Sequence, residues 1–203
     1  MPAFRRLVLL RHGDTLGDSH SRYHGRNDVA LSDRGRDQMR QASRTLSGEA
    51  LALVVASPLR RSWESAWIAT GGAPVRLEPD FREIDFGRWE GMTAEEIAAR
   101  DPVLFNDWQA RVLGFEYPSG ELRADFRKRV IRGLERLESS GVASALAVIH
   151  KGVIRTIAEH LLGDPLEEGL PELGHAVSLT RRSDGTWFEG RHSSDPPGIL
   201  SPR

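Results

Sequence analysis

The chain has 203 residues, 39% of them hydrophobic, and a formal net charge of −1, which argues against a nucleic-acid partner because no broad cationic field is available. It contains no Cys, which excludes disulfides and thiolate metal sites and fits a reducing cytoplasm. Its basic residues are 26 Arg and only two Lys, Lys128 and Lys151. We interpret most of this excess as coding bias, with local phosphate recognition by the planar Arg fork as the alternative.

Three unbroken apolar runs predict strands that are buried on both faces. They lie at 7–10, 53–56 and 145–149, and weaker strands are predicted at 75–77, 176–180 and 186–190. No run is long enough for a secretory signal or a membrane span, so we expect a cytoplasmic protein with no membrane association.

Helical segments separate these strands. They are predicted at 33–46 after the N-cap residue Ser32, and at 60–70, 93–99, 121–137 and 153–162. The expected buried stripe of the fourth helix consists of Leu122, Phe126, Val130, Leu134 and Leu137. The alternation predicts an α/β fold, a three-layer sandwich with a mostly parallel central sheet and helices on both faces. We expect one domain over 1–192 and a flexible C-terminal tail over 193–203.

Ligands of open α/β sheets bind beyond the carboxyl ends of the strands, so the residues after each apolar run are the candidate site. Those residues are 11–15, 57–61 and 150–152, which bring two His and several Arg to one edge. A neutral His can attack phosphorus while Arg forks and a helix N-terminus bind the phosphate oxygens, and this chemistry needs no metal and no cofactor. The leaving alkoxide requires a proton, and a carboxyl between Phe81 and Ile84 could have a raised pKa suited to that role.

Sequence blocks in a fixed order carry a family resemblance. They read LRHGDT at 10–15, YHGRNDVALSDRG at 23–35, SPLRRS at 57–62, REIDFGRWEG at 82–91, PSGE at 118–121 and VIHKGVIR at 148–155. In this order they resemble the histidine phosphatase superfamily, the phosphoglycerate mutase-like proteins, and within it the small phosphatases. The resemblance implies that fold and a metal-independent phosphoric monoester hydrolase of the histidine acid type.

The resemblance also implies the roles of individual residues. His12 would be the nucleophile that becomes phosphorylated, and Glu83 would be the proton donor. The residues expected to bind substrate are Arg11, Gly13, His24, Gly25, Arg61 and His150, of which Arg11, Arg61 and His150 hold the transferred phosphoryl group. Gly13 would allow the backbone to approach the phosphate closely.

Two residues depart from the family's pattern. Asp18 stands where the family usually has an Asn that helps hold the phosphoryl oxygens, so Asp18 must turn away, pair with an Arg, or lie in a shifted loop. Lys151 follows His150 where a small residue is common, and this extra cation could favour an acidic substrate. Trp89 and Trp108 either pack or line the leaving-group pocket, whereas Trp63, Trp67 and Trp187 are expected in core or edge packing.

Three functions fit these observations. The leading hypothesis is hydrolysis of a small phosphorylated metabolite by a monomer or homodimer. The first alternative is phosphoglycerate mutase-type phosphoryl transfer, which must shelter the intermediate from water. The second is a non-catalytic phosphate-binding module, which only the oddity at Asp18 supports.

Overall fold

A six-stranded sheet forms the centre of the protein in a computed structural model that describes residues 4–190. Its strands are β1 (Arg6–Arg11), β2 (Leu53–Ala56), β3 (Arg76–Leu77), β4 (Ser144–Ile149), β5 (Ala176–Arg181) and β6 (Trp187–Gly190). Their order is β3-β2-β4-β1-β5-β6. The first four strands are parallel, while β5 pairs antiparallel with β1 and β6 antiparallel with β5.

Six α-helices accompany the sheet. They are α1 (Asp33–Thr45), α2 (Arg60–Ala69), α3 (Ala94–Arg100), α4 (Pro102–Gln109), α5 (Arg123–Glu138) and α6 (Lys151–Leu162). Successive side chains of β1 point to opposite faces, so Leu7 and Leu9 pack with α5 and α6, whereas Val8 and Leu10 pack with α1 and α2. Both faces of the sheet are therefore covered, which confirms the predicted three-layer sandwich.

The predicted elements are confirmed in position, with two corrections. Helix α5 begins at Arg123, and Leu122 is its N-cap residue with 54% of its surface exposed, so Leu122 does not belong to the buried stripe. Helix α4 was not predicted. It has only eight residues and none of its side chains is fully buried, so its apolar pattern is too short to predict a helix.

A third apolar cluster lies apart from the two faces of the sheet. Trp89, Ile97 and Phe115 form its buried centre, and it brings together chain segments between β1 and α5. We call it the aromatic cluster; the partly buried residues packed on its centre are Tyr23, Phe86, Met92, Leu104, Phe105, Trp108 and Tyr117. It forms one side of the cleft described below.

The tryptophans outside this cluster differ from one another. Trp187 packs against Phe4, with ring centroids 6.0 Å apart, as expected. Trp63 and Trp67 are 41% and 58% exposed on α2, beside the edge strand β3, and so lie at the edge of the sheet rather than in the core.

The tail predicted over 193–203 lies outside the described residues. Within 4–190, no helix has the length and apolar character needed to cross a membrane.

Candidate active site

His12 lies directly after β1, and two backbone contacts fix its state. Its N–H donates to the Ile149 carbonyl at 3.0 Å, and its ring Nδ1 lies 2.8 Å from the Gly13 carbonyl oxygen. A carbonyl oxygen only accepts, so Nδ1 carries the proton and Nε2 keeps a lone pair. Burial, and then the charges of Arg61 and Arg11, lower the pKa of His12 well below its ordinary value. A neutral imidazole with a free Nε2 is a nucleophile.

Gly13 holds this arrangement in place. Its carbonyl accepts from His12, and its N–H lies 3.2 Å from the Ser65 hydroxyl oxygen, to which it donates. A Cβ on Gly13 would lie 2.4 Å from the carbonyl oxygen of Gly35 in α1, so no larger residue fits. The structure thus gives Gly13 a packing role, and the expected contact with phosphate stays a prediction.

Three further side chains place unpartnered nitrogen atoms beside His12. The His150 ring is fully buried, its centroid is 5.1 Å from that of His12, and within 4–190 neither of its ring nitrogens has a hydrogen-bond partner. Arg11 donates from Nη1 to the Pro171 carbonyl at 3.0 Å, but its buried Nε, like that of Arg61, has no partner there. Because buried polar groups normally form hydrogen bonds, these atoms indicate a site for an anion.

Arg61 supplies charge and also holds a loop. Its guanidinium donates to the carbonyls of Asn27, His24 and Gly25 at 2.7, 2.8 and 2.9 Å. Burial lowers the pKa of Arg61 to about 10, so the side chain remains charged at neutral pH. Of the two adjacent arginines at the start of α2, Arg61 is therefore the one in the site, whereas Arg60 is exposed.

Glu90 holds the same loop by accepting hydrogen bonds from the backbone N–H groups of the loop. The sequence analysis missed this role. Its carboxylate accepts from the backbone N–H of Gly25, Arg26 and Asn27 at 3.1, 3.0 and 3.3 Å. It also accepts from the N–H of Phe86 at 3.0 Å, which ties the loop of His24 to the segment that follows Glu83. The only sequence signal for Glu90 was its position in the block at 82–91. That block also contains Glu83, so it did not show which glutamate has which role.

Glu83 lies at the cleft wall with its carboxylate held by two backbone groups. Its Oε2 accepts from the N–H of Gly152 and its Oε1 from the N–H of Ile84, both at 3.0 Å. Burial raises the pKa of Glu83 above its ordinary value, and the two hydrogen bonds and the charges of Arg61 and Arg11 oppose this shift only in part. A carboxyl with a raised pKa is suited to donate a proton near neutral pH.

Arg129 positions the segment that carries Glu83. Its guanidinium donates to the carbonyls of Asp80, Arg82 and Glu83 at 2.7, 2.7 and 3.0 Å. It also forms a two-pronged ion pair with Glu121, with N···O distances of 2.6 and 2.8 Å. The sequence analysis counted Arg129 among the arginines that result from coding bias. In the structure, its planar guanidinium group holds the loop that carries Glu83.

These side chains meet at a cleft of about 940 Å³. Arg11, His12, His24 and Glu83 line it, whereas Arg61 and His150 are completely buried beside them. The His24 ring hydrogen-bonds through Nε2 to the Gly17 carbonyl. The structure therefore brings together the residues that the sequence analysis selected.

The structure also places the residues whose roles the sequence analysis left undecided. Trp108 lines the cleft, but Trp89 is buried and its indole N–H donates to Asp101 at 2.9 Å. Asp18 is exposed and does not line the cleft. It lies in a turn with a positive φ of 55°, and its backbone carbonyl accepts from the N–H groups of Ser21 and Arg22. Lys151 does line the cleft.

No cluster of three potential metal ligands occurs within the described range 4–190.

Comparisons with known proteins agree with this geometry. The family model of the histidine phosphatase superfamily (branch 1) matches residues 7–189. A glucosyl-3-phosphoglycerate phosphatase of Mycolicibacterium vanbaalenii is 35% identical over 181 residues, which cover 84% of this chain and 79% of that protein. An adenosylcobalamin/alpha-ribazole phosphatase of Escherichia coli K12 is 31% identical over 169 residues, covering 80% and 81%.

Solved structures show the same relationship. A mycobacterial glucosyl-3-phosphoglycerate phosphatase in complex with VO3 superimposes with a TM-score of 0.80 at 29% identity, covering 91% of this chain and 97% of that one. The chain therefore belongs to the histidine phosphatase superfamily. The relatives named here are phosphatases, and the family is one of hydrolases related to the phosphoglycerate mutases.

Proposed function

We propose that the protein hydrolyses a small phosphomonoester through a phosphohistidine intermediate on His12, without a metal ion. The observation that carries this proposal is the state of His12. Its Nδ1 is held by the Gly13 carbonyl and its Nε2 keeps a lone pair, while buried nitrogens of Arg11, Arg61 and His150 beside it lack partners. The two guanidinium groups would supply the positive charge that phosphoryl transfer requires.

The first step would transfer the phosphoryl group to the protein. Nε2 of His12 attacks phosphorus, the bond from phosphorus to the ester oxygen breaks, and its electron pair remains on that oxygen. Glu83 gives its proton to the departing oxygen, so the alcohol leaves neutral and Glu83 becomes a carboxylate.

The second step would release phosphate. The Glu83 carboxylate takes a proton from water as the water oxygen attacks phosphorus. The phosphorus–nitrogen bond breaks, its electron pair returns to Nε2, and inorganic phosphate leaves. His12 is then neutral and Glu83 protonated, so the site is ready for another turnover.

The ordinary pKa values of the two groups are in the wrong order for this cycle. Glu83 must be protonated while His12 is neutral, yet the ordinary values are 4.5 for Glu and 6.5 for His. In the structure, burial raises the pKa of Glu83 and lowers that of His12, so both shifts favour the required states. The small phosphate esters in the names of the relatives support a small metabolite as substrate.

Hydrolysis of p-nitrophenyl phosphate in the presence of a chelator tests this proposal. We expect steady turnover that His12→Ala abolishes and that His160→Ala, on the exposed side of α6, leaves intact. Absence of turnover between about pH 5 and about pH 8, or turnover that survives His12→Ala, would contradict it. If the protein isomerises 3-phosphoglycerate faster than it releases phosphate, the mutase alternative replaces hydrolysis.

A further inference from the structure

Lys151 occupies a position that its charge makes unfavourable in the free protein. It is the first residue of α6, directly after His150, and it lies half-buried in the cleft wall. The N-terminus of a helix carries partial positive charge and therefore repels a cation. Burial, and then the charges of Arg11 and Arg155, lower the pKa of Lys151.

No carboxylate among the described residues pairs directly with this charge, and the charges of Glu168 and Glu83 offset the lowering of its pKa only in part. Within residues 4–190, the Lys151 ammonium group forms neither an ion pair nor a hydrogen bond. The acidic groups close enough to act on it are already engaged. Glu168 forms an ion pair with Arg111 at 2.6 Å, and Glu83 accepts from two backbone N–H groups.

Two other cations of the cleft, Arg155 and Arg22, are held by the protein itself. Arg155 donates to the carbonyls of Leu166, Glu167 and Leu170 at 2.8 to 3.2 Å. Arg22 forms an ion pair with Glu96 at 2.8 Å and also donates to a backbone carbonyl. Lys151 differs from both, because it is partly desolvated and its donors are unused.

We propose that Lys151 binds a carboxylate on the leaving group of the substrate, next to the phosphoryl group held by Arg11, Arg61 and His150. This inference rests on the proposed phosphatase function and narrows its substrate class to carboxylate-bearing phosphomonoesters. A single ammonium group matches a single negative charge. A second phosphate beside Lys151 would call for a free guanidinium fork there. Of the two arginines whose charges act on Lys151, Arg11 is assigned to the transferred phosphoryl group and Arg155 donates to backbone carbonyls.

Two esters that differ only in this group test the proposal. In 3-phosphoglycerate the far carbon is a carboxylate, and in glycerol 3-phosphate it is an uncharged hydroxymethyl group. We expect wild-type protein to favour 3-phosphoglycerate in kcat/KM by about 10- to 100-fold, the range expected for a hydrogen bond between charged groups. Lys151→Met should bring the ratio close to one, and Lys151→Arg should restore much of it.

The second lysine provides the matched control. Lys128 is exposed on α5, outside the cleft, so Lys128→Met removes the same charge and should keep the wild-type ratio. The unfolding temperature shows whether each variant folds. We expect Lys151→Met to be at least as stable as wild type, because it removes a charge that α6 and two guanidinium groups repel.

Binding measurements separate this proposal from the phosphatase proposal. Calorimetry of both esters with a His12→Ala background requires no turnover, and there too Lys151→Met should abolish the preference for 3-phosphoglycerate. Turnover of p-nitrophenyl phosphate without a Lys151-dependent preference would overturn the carboxylate subsite alone. A Lys151-dependent preference in binding without any turnover would overturn the phosphatase alone. Equal losses for both esters would place Lys151 on the transferred phosphoryl group and overturn the subsite.

Discussion

The inner and outer parts of the cleft are built in different ways. The inner part lies at the ends of β1 and β4 and the start of α2, and backbone groups hold its side chains; Gly13 fixes His12, and Gly152 and Ile84 fix Glu83. The outer part combines the aromatic cluster with the cation Lys151, whose ammonium group has no partner among the described residues. The difference indicates that backbone groups pre-organise the nucleophile and the acid of the inner part, whereas Lys151 in the outer part gains a partner only when substrate binds.

Among the single substitutions considered, replacement of Glu83 should reduce activity most, apart from replacement of His12. We expect Glu83→Gln to lower kcat by about 10²- to 10⁴-fold, because the amide cannot donate a proton to the leaving oxygen. The loss in kcat/KM should be larger for an alkyl phosphate than for p-nitrophenyl phosphate, since p-nitrophenol leaves readily without protonation. An equal loss in kcat/KM for both esters would show that Glu83 is not the acid. Glu135→Gln, on the exposed side of α5, is the matched control.

The same residue determines the expected pH dependence. The raised pKa of Glu83 means that the free protein loses this proton, and kcat/KM falls, as the pH rises through a value above the ordinary 4.5. The lowered pKa of His12 moves the acid limb to a pH well below 6.5. A pH profile of kcat/KM measured for wild type and Glu83→Gln tests both signs, and a high-pH decline that persists in the variant would exclude Glu83 as its cause.

Glu90 connects the two parts of the cleft and should have an intermediate effect. Its carboxylate accepts from four backbone N–H groups on two segments, and an amide has only one accepting oxygen. We expect Glu90→Gln to lower the free energy of unfolding by about 1.5–3 kcal/mol. Activity should fall as well, through displacement of His24 and Arg61. Denaturant unfolding and kcat/KM measured together check this, and a fully stable, fully active variant would refute it.

A substitution in the aromatic cluster should have the smallest effect. Trp108 lines the cleft and packs edge-on against Tyr23, with ring centroids 5.4 Å apart. We expect Trp108→Leu to raise KM for p-nitrophenyl phosphate by about 2- to 10-fold, the range that aromatic contacts provide, and to change kcat less. A fall in kcat comparable to that of Glu83→Gln would show that the outer part also performs chemistry.

The sequence predicts the inner part better than the outer part for physical reasons. The strands 7–10, 53–56 and 145–149 are apolar on both faces, and the residues that follow parallel strands meet at one edge of the sheet, so His12, Arg61 and His150 could be placed together. Helix α4 has only eight residues, and its partly buried apolar residues Leu104, Phe105 and Trp108 span too short a segment to predict a helix. Trp108 lies within α4, so the sequence left open whether it packs or lines the leaving-group pocket, and the structure places it in the cleft wall.

Side chains that act on backbone groups were also beyond sequence reasoning. Arg129 and Glu90 bind carbonyls and N–H groups that are distant along the chain, and only the folded loops bring these partners together. The Arg excess therefore has more structural content than a coding bias. Arg61 and Arg129 hold the loops of His24 and Glu83.

The stereochemical course at phosphorus tests the central claim most directly. A phosphate ester with isotopically chiral phosphorus would be hydrolysed in labelled water and the configuration of the product determined. Two in-line displacements, onto Nε2 of His12 and then onto water, predict overall retention of configuration. Inversion would mean that water attacks the ester directly, and it would contradict the assignment of His12 as the nucleophile.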